Sequence, residues 1–210
     1  MQPRPLSLVL LLPVLAALLA SCQHFGGASP PAADALFPPE GVDHLSMTVS
    51  VEVDLPGIGK DRVELAGTVV VHRSGPMGPD GKSMKGELVS ASLQGNSPVF
   101  GKVIGIENPV KPSACEYTCE GPGRYPGHFD INGWFWLPER DLLISNERPV
   151  RVSGVAAGIP AVGQEAESSA DDIPLQDIRK PQAGTPIGFL SKARGKIIAL
   201  VNLEEHLKKR

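Results

Sequence analysis

The chain has 210 residues and a formal net charge of −3, and it carries no basic stripe. Because nucleic-acid binding depends on clustered Lys and Arg that neutralise phosphates, the sequence argues against a nucleic-acid partner. Glycine (23) and proline (21) are abundant but show no collagen period. The composition is typical of one globular domain with many turns, joined to a tether.

The first 21 residues have the layout of an export signal. One positive charge, Arg4, precedes an apolar run from Leu6 to Leu19 that only Ser7 and Pro13 interrupt. The run is shorter than the roughly 20 apolar residues that a membrane-spanning helix needs. We therefore expect a signal peptide over residues 1–21 and not a membrane span.

The end of this signal, Leu19-Ala20-Ser21-Cys22, resembles the lipobox of bacterial lipoproteins. The resemblance implies that Cys22 is lipidated by fatty acids such as palmitate, becomes the mature N-terminus and anchors an exported lipoprotein to a membrane of the cell envelope. Gln23 stands where an aspartate would argue for inner-membrane retention, so the resemblance implies the outer membrane in a host with two membranes. An ordinary cleaved signal is the alternative, although it would not need a cysteine here.

The next segment, residues 22–40, is rich in proline and alanine and poor in large apolar side chains. Such a composition favours an extended chain of about 3.1 Å per residue. We expect it to be a tether that holds a domain of residues 41–210 above the lipid surface.

Apolar and polar residues then alternate, which is typical of half-buried antiparallel strands. The predicted inward residues of the first strand are Leu45, Met47, Val49, Val51, Val53 and Leu55, and those of the second are Val63, Leu65, Val69 and Val71. Two more segments follow, with Val89, Ala91 and Leu93 on one face and then Phe100, Ile104 and Ile106 on one face.

Residues 108–127 contain enough proline and glycine to predict little regular structure. Strands are predicted over residues 129–137, 142–145 and 149–155, followed by a long polar loop over residues 157–186. Residues 187–203 fit either a hairpin that turns near Gly195 or an amphipathic helix. The hairpin is favoured because Gly195 would cost the helix about 1 kcal/mol.

Together these elements predict an antiparallel all-β domain. We expect a two-sheet β-sandwich of about seven to nine strands, connected as a Greek key or meander, with a short helix in the C-terminal tail.

Two cysteines remain once Cys22 is lipidated, and they enclose three residues: Cys115 and Cys119. In an exported chain the default for such a pair is a structural disulfide. A redox role is disfavoured because thioredoxin-like motifs have two intervening residues at a helix N-terminus.

Motifs for metal binding and catalysis are lacking in the sequence. The five histidines are scattered, and Asp171-Asp172 has no EF-hand spacing around it. There is no Gly-x-Ser-x-Gly elbow and no phosphate-binding glycine loop. We therefore expect no metal and no cofactor, assign no catalytic residue, and regard an enzyme as the less favoured class.

The segment from His128 to Leu137 holds both tryptophans of the chain. Alternation places Phe129, Ile131, Phe135 and Leu137 on a core face, and it places the following on the opposite face: His128, Asp130, Asn132, Trp134 and Trp136. Indole rings beside polar groups suit a glycan-binding surface. The commoner alternative is that residues 157–186 or the C-terminal segment cover this face, so that the tryptophans are ordinary packing.

The function expected from the sequence is non-catalytic: a lipid-anchored envelope or surface lipoprotein whose β domain binds a glycan or another envelope protein. The rival of a different class is an envelope hydrolase with its active site near His128 and Asp130. A deep cleft with a second carboxylate beside these residues would favour the hydrolase.

Overall fold

The computed structural model describes residues 36–168, 172–180 and 185–201. In these ranges the chain forms twelve β-strands and a short 3₁₀ turn, Pro138–Arg140. The strands are β1 (Gly41–Leu55), β2 (Gly59–Arg73), β3 (Ser83–Ser97), β4 (Gly101–Glu107), β5 (Ala114–Thr118), β6 (Tyr125–Ile131), β7 (Gly133–Leu137), β8 (Leu142–Asn146), β9 (Val150–Ala156), β10 (Glu165–Ser168), β11 (Ile173–Asp177) and β12 (Gly188–Leu200). No helix within these residues is long and apolar enough to cross a bilayer.

All strand pairs are antiparallel and belong to one sheet, in the order β1-β2-β3-β4-β7-β8-β11-β12-β10-β9-β6-β5. Two further pairings, β1 with β12 and β3 with β5, close the sheet on itself. Each strand of the described ranges therefore has a hydrogen-bonded neighbour on both sides. The predicted antiparallel all-β class is confirmed, whereas the two-sheet sandwich of seven to nine strands is wrong.

Long strands that change partner explain why the domain forms one closed sheet and not the predicted two-sheet sandwich. β1, β2 and β3 have 15 residues each and β12 has 13. β3 pairs with β5 through residues 83–87 and with β4 through residues 92–97. β12 likewise pairs with β11 through residues 188–190 and with β10 through residues 194–196. Period-2 alternation identifies the inward face but does not show where a strand exchanges its neighbour.

The inward side chains form two main clusters. The larger one includes Val51, Leu65, Ile144 and Leu190, and the second consists of Leu45, Val69, Val71, Leu88 and Cys115. Leu93 and Phe129 pack against both clusters. The alternation predicted for the first two strands is confirmed, since every predicted inward residue there is buried or half-buried.

Residues 37–39, within the segment predicted as a tether, contact the sheet. Phe37 is only 2% exposed and packs with Met84 and Cys119, and its ring centroid lies 5.3 Å from that of Tyr125. Arg73 donates hydrogen bonds to the backbone carbonyl of Pro39 and to both carboxylate oxygens of Asp43. Residues just before the predicted boundary of 41 therefore already pack on the sheet.

A register shift on β3 overturns one predicted face. Val70 lies opposite Ser90 whereas Val71 lies opposite Leu88, so β3 has one extra residue at this point. Such a bulge moves the alternation by one position. Leu88 is consequently buried, and Val89, which was predicted to point inward, is 55% exposed.

Three segments gain more strand than their sequences predict. Residues 108–127 contain β5 and the start of β6, the expected loop over residues 157–186 contains β10 and β11, and the favoured hairpin at residues 187–203 is instead the single strand β12. β12 pairs with β1 over most of its length. Its path is irregular: the pairing contains two register shifts, and Lys192 has a positive φ of 46°. Long neighbours impose this structure on segments with weak local signals. The expected tail helix lies outside the described residues.

Candidate functional site

An apolar cavity of about 140 Å³ lies between the two main core clusters. Its wall includes Met47 and Val49 of β1, Leu93 of β3, Ile131 of β6 and Phe135 of β7. These five side chains point inward and pack on the core clusters, yet they are only half-buried because part of their surface faces the cavity. Native interiors contain few voids larger than a water molecule, so a space of this size is a feature to be explained.

Small residues at inward positions leave this space open. Ala91, Gly105 and Gly195 line the cavity on three different strands, β3, β4 and β12. A Cβ built on Gly195 would have only the terminal methyl of Met47 within 4 Å, at 3.7 Å. Larger side chains at Ala91 and Gly195 would enter the space, whereas a Cβ on Gly105 would already lie 3.3 Å from Cδ1 of Leu65.

Asn132 is one of the polar residues in this wall, and it is buried. Its Nδ2 donates a hydrogen bond of 2.9 Å to the carbonyl of Pro112, and its backbone N–H donates one of 2.8 Å to Oγ of Ser113. Asn132 is 6% exposed, and its Oδ1 is buried without a hydrogen-bond partner among the described residues. An unsatisfied buried acceptor costs about 1–3 kcal/mol.

Glu107 lies beside Asn132 along the cavity wall. It ends β4 and pairs with Gly133, the residue that follows Asn132. Burial raises the pKa of the Glu107 carboxyl above its usual range, and the negative charge of Glu87 raises it further. Glu107 and Asn132 are therefore neighbours in the wall of the cavity.

The five residues predicted to share one face are divided between two strands. β6 ends at Ile131 and β7 begins at Gly133; β6 pairs with β5 and β9, whereas β7 pairs with β4 and β8. The single strand predicted over residues 129–137 is therefore wrong. Asn146 spans the break, since its Oδ1 accepts from the N–H of Gly133 and its Nδ2 donates to the carbonyl of Ile131.

His128 and Asp130 lie on β6, where Asp130 is bound by an arginine. The guanidinium of Arg151, on β9, donates to both carboxylate oxygens of Asp130, at 2.7 Å and 2.5 Å. This pair holds the pKa of Asp130 below its ordinary value of 3.8. His128 Nε2 is 3.9 Å from the same carboxylate. Asp130 is therefore a fixed anion and poorly suited to act as an acid or a base.

A polar groove of about 420 Å³ surrounds this pair, and its wall includes Glu87, Cys115, Glu116, His128 and Asp130. It does contain the additional carboxylates that a hydrolase would need. However, burial raises the pKa of the Cys115 thiol to about 12, so this cysteine is not an activated nucleophile. Within the described ranges, no group of three or more His, Cys, Asp and Glu side chains is placed to hold a metal ion.

The two tryptophans point to the outside of β7. Trp134 is half-buried and Trp136 is 45% exposed. Three of their four cross-strand neighbours are aliphatic: Ile106 opposite Trp134, and Ile104 and Leu143 opposite Trp136. The fourth, opposite Trp134 on β8, is Ser145. We call the two tryptophans and the three aliphatic residues the outer Trp face. Because Asn132 is buried and His128 and Asp130 lie on another strand, this face lacks the polar partners that the sequence predicted.

Cys115 and Cys119 are free and buried thiols, so the predicted disulfide is absent. The four residue steps from Cys115 to Cys119 span roughly 13 Å along an extended strand, whereas a disulfide requires Cα atoms within about 7 Å. Cys115 belongs to the second core cluster, and Cys119 packs with Phe37 and Met84. Each thiol serves as a small apolar side chain in a different part of the core.

Sequence reasoning missed the cavity, the position of Glu107 in its wall and the burial of Asn132. The sequence did contain a signal for the break at Asn132. Asn132-Gly133 interrupts a run of aromatic and β-branched residues, and an isolated glycine in a strand pattern indicates a break or a bulge. The cavity has no such local signal, since its small residues come from strands distant in the sequence.

Comparison with known proteins identifies the family. The structure is similar to that of DynF from the dynemicin biosynthesis pathway of Micromonospora chersina, with a TM-score of 0.73 and 22% identity over 85% of this chain and 89% of that chain. At this identity the similarity shows the fold alone. No curated protein matches the sequence. The model of a family of unknown function, DUF6073, matches residues 32–206, and the chain therefore belongs to this family.

Proposed function

We propose that this protein is an exported, lipid-anchored binding protein that holds a small apolar molecule in the cavity between its two core clusters. The observation that carries the proposal is the apolar space of about 140 Å³ that small inward residues leave open. A cavity of roughly 150 Å³ lined by aliphatic and aromatic side chains is enough to bind benzene. The cavity therefore suits a single ring or a chain of about six carbons.

The arrangement of the wall supports binding more than catalysis. All the strands that form it are paired on both sides, which keeps the cavity open without a ligand. The carboxylate nearest to the predicted catalytic position, Asp130, is held ionised by Arg151. The polar groove that surrounds it offers no activated thiol. These contacts give the hydrolase alternative little support.

Toluene titrated into the purified protein tests the proposal, with NMR chemical shifts as the readout. We expect saturable shifts at residues of the cavity wall. Ala91→Phe should fill the space and abolish these shifts, whereas Ala199→Phe, which adds the same ring at an exposed position of β12, should leave them unchanged. Shifts that never saturate, or that survive in Ala91→Phe, would count against a binding cavity.

The lipid anchor rests on the motif Leu19-Ala20-Ser21-Cys22. An apolar ligand partitions into membranes, so a carrier of such a molecule is well placed at a lipid surface. Metabolic labelling with palmitate should mark the native chain but not Cys22→Ala, and the variant should leave the membrane fraction. Unchanged membrane partitioning of Cys22→Ala would contradict the anchor.

A second candidate function is favoured by the outer Trp face. Protein interfaces combine exposed Trp with an apolar centre, as this face does, whereas the polar residues predicted for a glycan site, His128, Asp130 and Asn132, are not part of it. The candidate is therefore docking of an envelope protein at Trp136 and its neighbours. A photo-crosslinking residue at position 136 should capture one defined partner, whereas the same residue at the exposed position 89 should not. Equal capture from both positions would argue against a specific surface.

A further inference from the structure

The open space of the cavity lies over Gly195 of β12. The glycines that line the cavity differ in what a Cβ on each would meet: Gly105, Gly127, Gly133, Gly154 and Gly195. On each of the first four, a Cβ would have another atom at 3.3 Å or closer, which is tighter than ordinary contact. On Gly195 the only atom within 4 Å is Cε of Met47, at 3.7 Å. Gly195 therefore faces open space that the terminal methyl of Met47 bounds on one side.

Met47 reaches this position from the neighbouring strand β1. In the β1–β12 ladder Val49 lies opposite Gly195, whereas Met47 lies opposite Ile197, so the Met47 side chain extends diagonally toward Gly195. Met47 packs on the second core cluster, and Val49 packs on the larger one. Met47 therefore enters the cavity from the side of the second cluster.

Met47 is the most adaptable of the five half-buried side chains in the wall. The other four are branched or aromatic, and all of them pack on the larger core cluster: Val49, Leu93, Ile131 and Phe135. Met47 is unbranched and packs on the second cluster only. A methionine has three rotatable side-chain bonds and fills irregular space, whereas a β-branched side chain has little rotamer freedom. Moving the Met47 methyl away from Gly195 would therefore enlarge the cavity without disturbing the strands.

We propose that Met47 is the adjustable part of the cavity wall and sets the size of the ligand. This inference rests on the proposed binding function and assigns the residue that selects its ligand. With the Met47 methyl over Gly195, the cavity of about 140 Å³ accepts a single ring. With the side chain rotated away, it accepts two fused apolar rings. The affinity for a two-ring ligand is then reduced by the fraction of molecules in which Met47 has moved.

Methionine methyl signals in NMR spectra test the position of Met47. Beyond residue 21 the chain has three methionines, Met47, Met77 and Met84. Toluene should shift the methyl signal of Met47 and leave the other two unchanged, because Met77 is 40% exposed and Met84 packs with Phe37 and Cys119. If toluene shifts no signal of the protein, the proposed function fails. If it shifts other wall residues but not Met47, the cavity stands and the role of Met47 is overturned.

The ratio of naphthalene affinity to toluene affinity, from NMR titrations of the purified protein, measures the selectivity. Met47→Ala removes the side chain that naphthalene must displace, so the ratio should rise at least tenfold, whereas Met77→Ala at the exposed position should leave it unchanged. Gly195→Ala puts a methyl into the open space, so the ratio should fall. Gly158→Ala is its control, since a Cβ there has no atom within 4 Å and Gly158 does not line the cavity.

A purely structural role of Met47 would weaken both ligands alike. An unchanged affinity ratio in Met47→Ala would therefore overturn the proposal. Should Met47→Ala not fold, Gly195→Ala decides: if it binds both ligands as tightly as the native protein does, the space over Gly195 is not part of the ligand site and the proposal fails.

Discussion

Arg151 on β9 binds both carboxylate oxygens of Asp130 on β6, the strand beside it. The pair sits on the rim of the polar groove and holds His128 Nε2 at 3.9 Å from the carboxylate. Because Arg151 is mostly exposed, solvent screens the attraction, and its contribution to stability is small.

The first prediction concerns the pH dependence of this pair. Because the folded-state pKa of Asp130 lies below its unfolded value, the stabilisation is fully present above the unfolded pKa and is lost as the pH falls through the folded one. Urea unfolding of the native protein should therefore show a loss of stability below about pH 4 that is smaller in Asp130→Asn. Exposed Asp54→Asn is the control. Identical pH profiles for the native protein and Asp130→Asn would contradict the contact.

The second prediction compares two neighbours on β7. Phe135→Ala should destabilise the fold by about 3 kcal/mol, because its ring packs on the larger core cluster. Trp136→Ala should cost less than about 1 kcal/mol, since the Trp136 side chain points outward and is 45% exposed. Chemical denaturation measures both. Acrylamide should quench the fluorescence of Trp136 in the native protein, and resistance to quenching would mean that the outer Trp face is covered.

A third prediction concerns the two buried thiols. Mass spectrometry of the non-reduced protein should find Cys115 and Cys119 unlinked, with alkylation slow in the native state and complete after denaturation. Cys115→Ser should destabilise by about 1–3 kcal/mol, because it puts a hydroxyl into the apolar second cluster. Cys115→Ala is the matched control and should cost less. A linked peptide containing both cysteines would show that the strand geometry of β5 is not retained in solution.

The fourth prediction places the end of the tether. A chain that begins at residue 35 should unfold at the same denaturant concentration as the mature protein, whereas one that begins at residue 41 should be less stable. The difference should approach the 3–5 kcal/mol typical of losing a buried Phe, because Phe37 is removed together with the contact between Arg73 and Pro39. Phe37→Ala in the longer chain should reproduce most of the loss. Equal stability of the two truncated chains would restore the boundary at residue 41.

Much of the strand content can be predicted from the sequence, because the alternation of apolar and polar residues follows the burial of their side chains. β1 and β2 show it over their full lengths, and the inward Phe135 and Leu137 are also predicted correctly. The alternation fails at Val89, where a bulge that depends on the partner strand changes the register. The alternation fails again at Asn132, where the chain passes from β6 to β7. Hydrogen bonds from Asn146 stabilise this passage, and no local sequence pattern links Asn146 to Asn132.

The candidate site is less predictable than the fold. Ala91, Gly105 and Gly195 are unremarkable in their own segments, and they form a cavity only because the sheet closes and brings their three strands around one space. Phe37 lies among prolines and alanines that are typical of a tether, and its burial depends on the distant Met84 and Tyr125. In each case the missing information is long-range pairing, which a window of sequence does not contain.

The closure of the sheet also bears on how the protein behaves when many copies are crowded together. An open sheet presents a row of free N–H and C=O groups on which a second copy can add a strand, and this is a common route to aggregation. Each strand of the described ranges is instead flanked on both sides. At high protein concentration, contacts between copies of this domain therefore involve side chains and not strand pairing. Solubility then depends on exposed apolar side chains such as Trp136 and Val89.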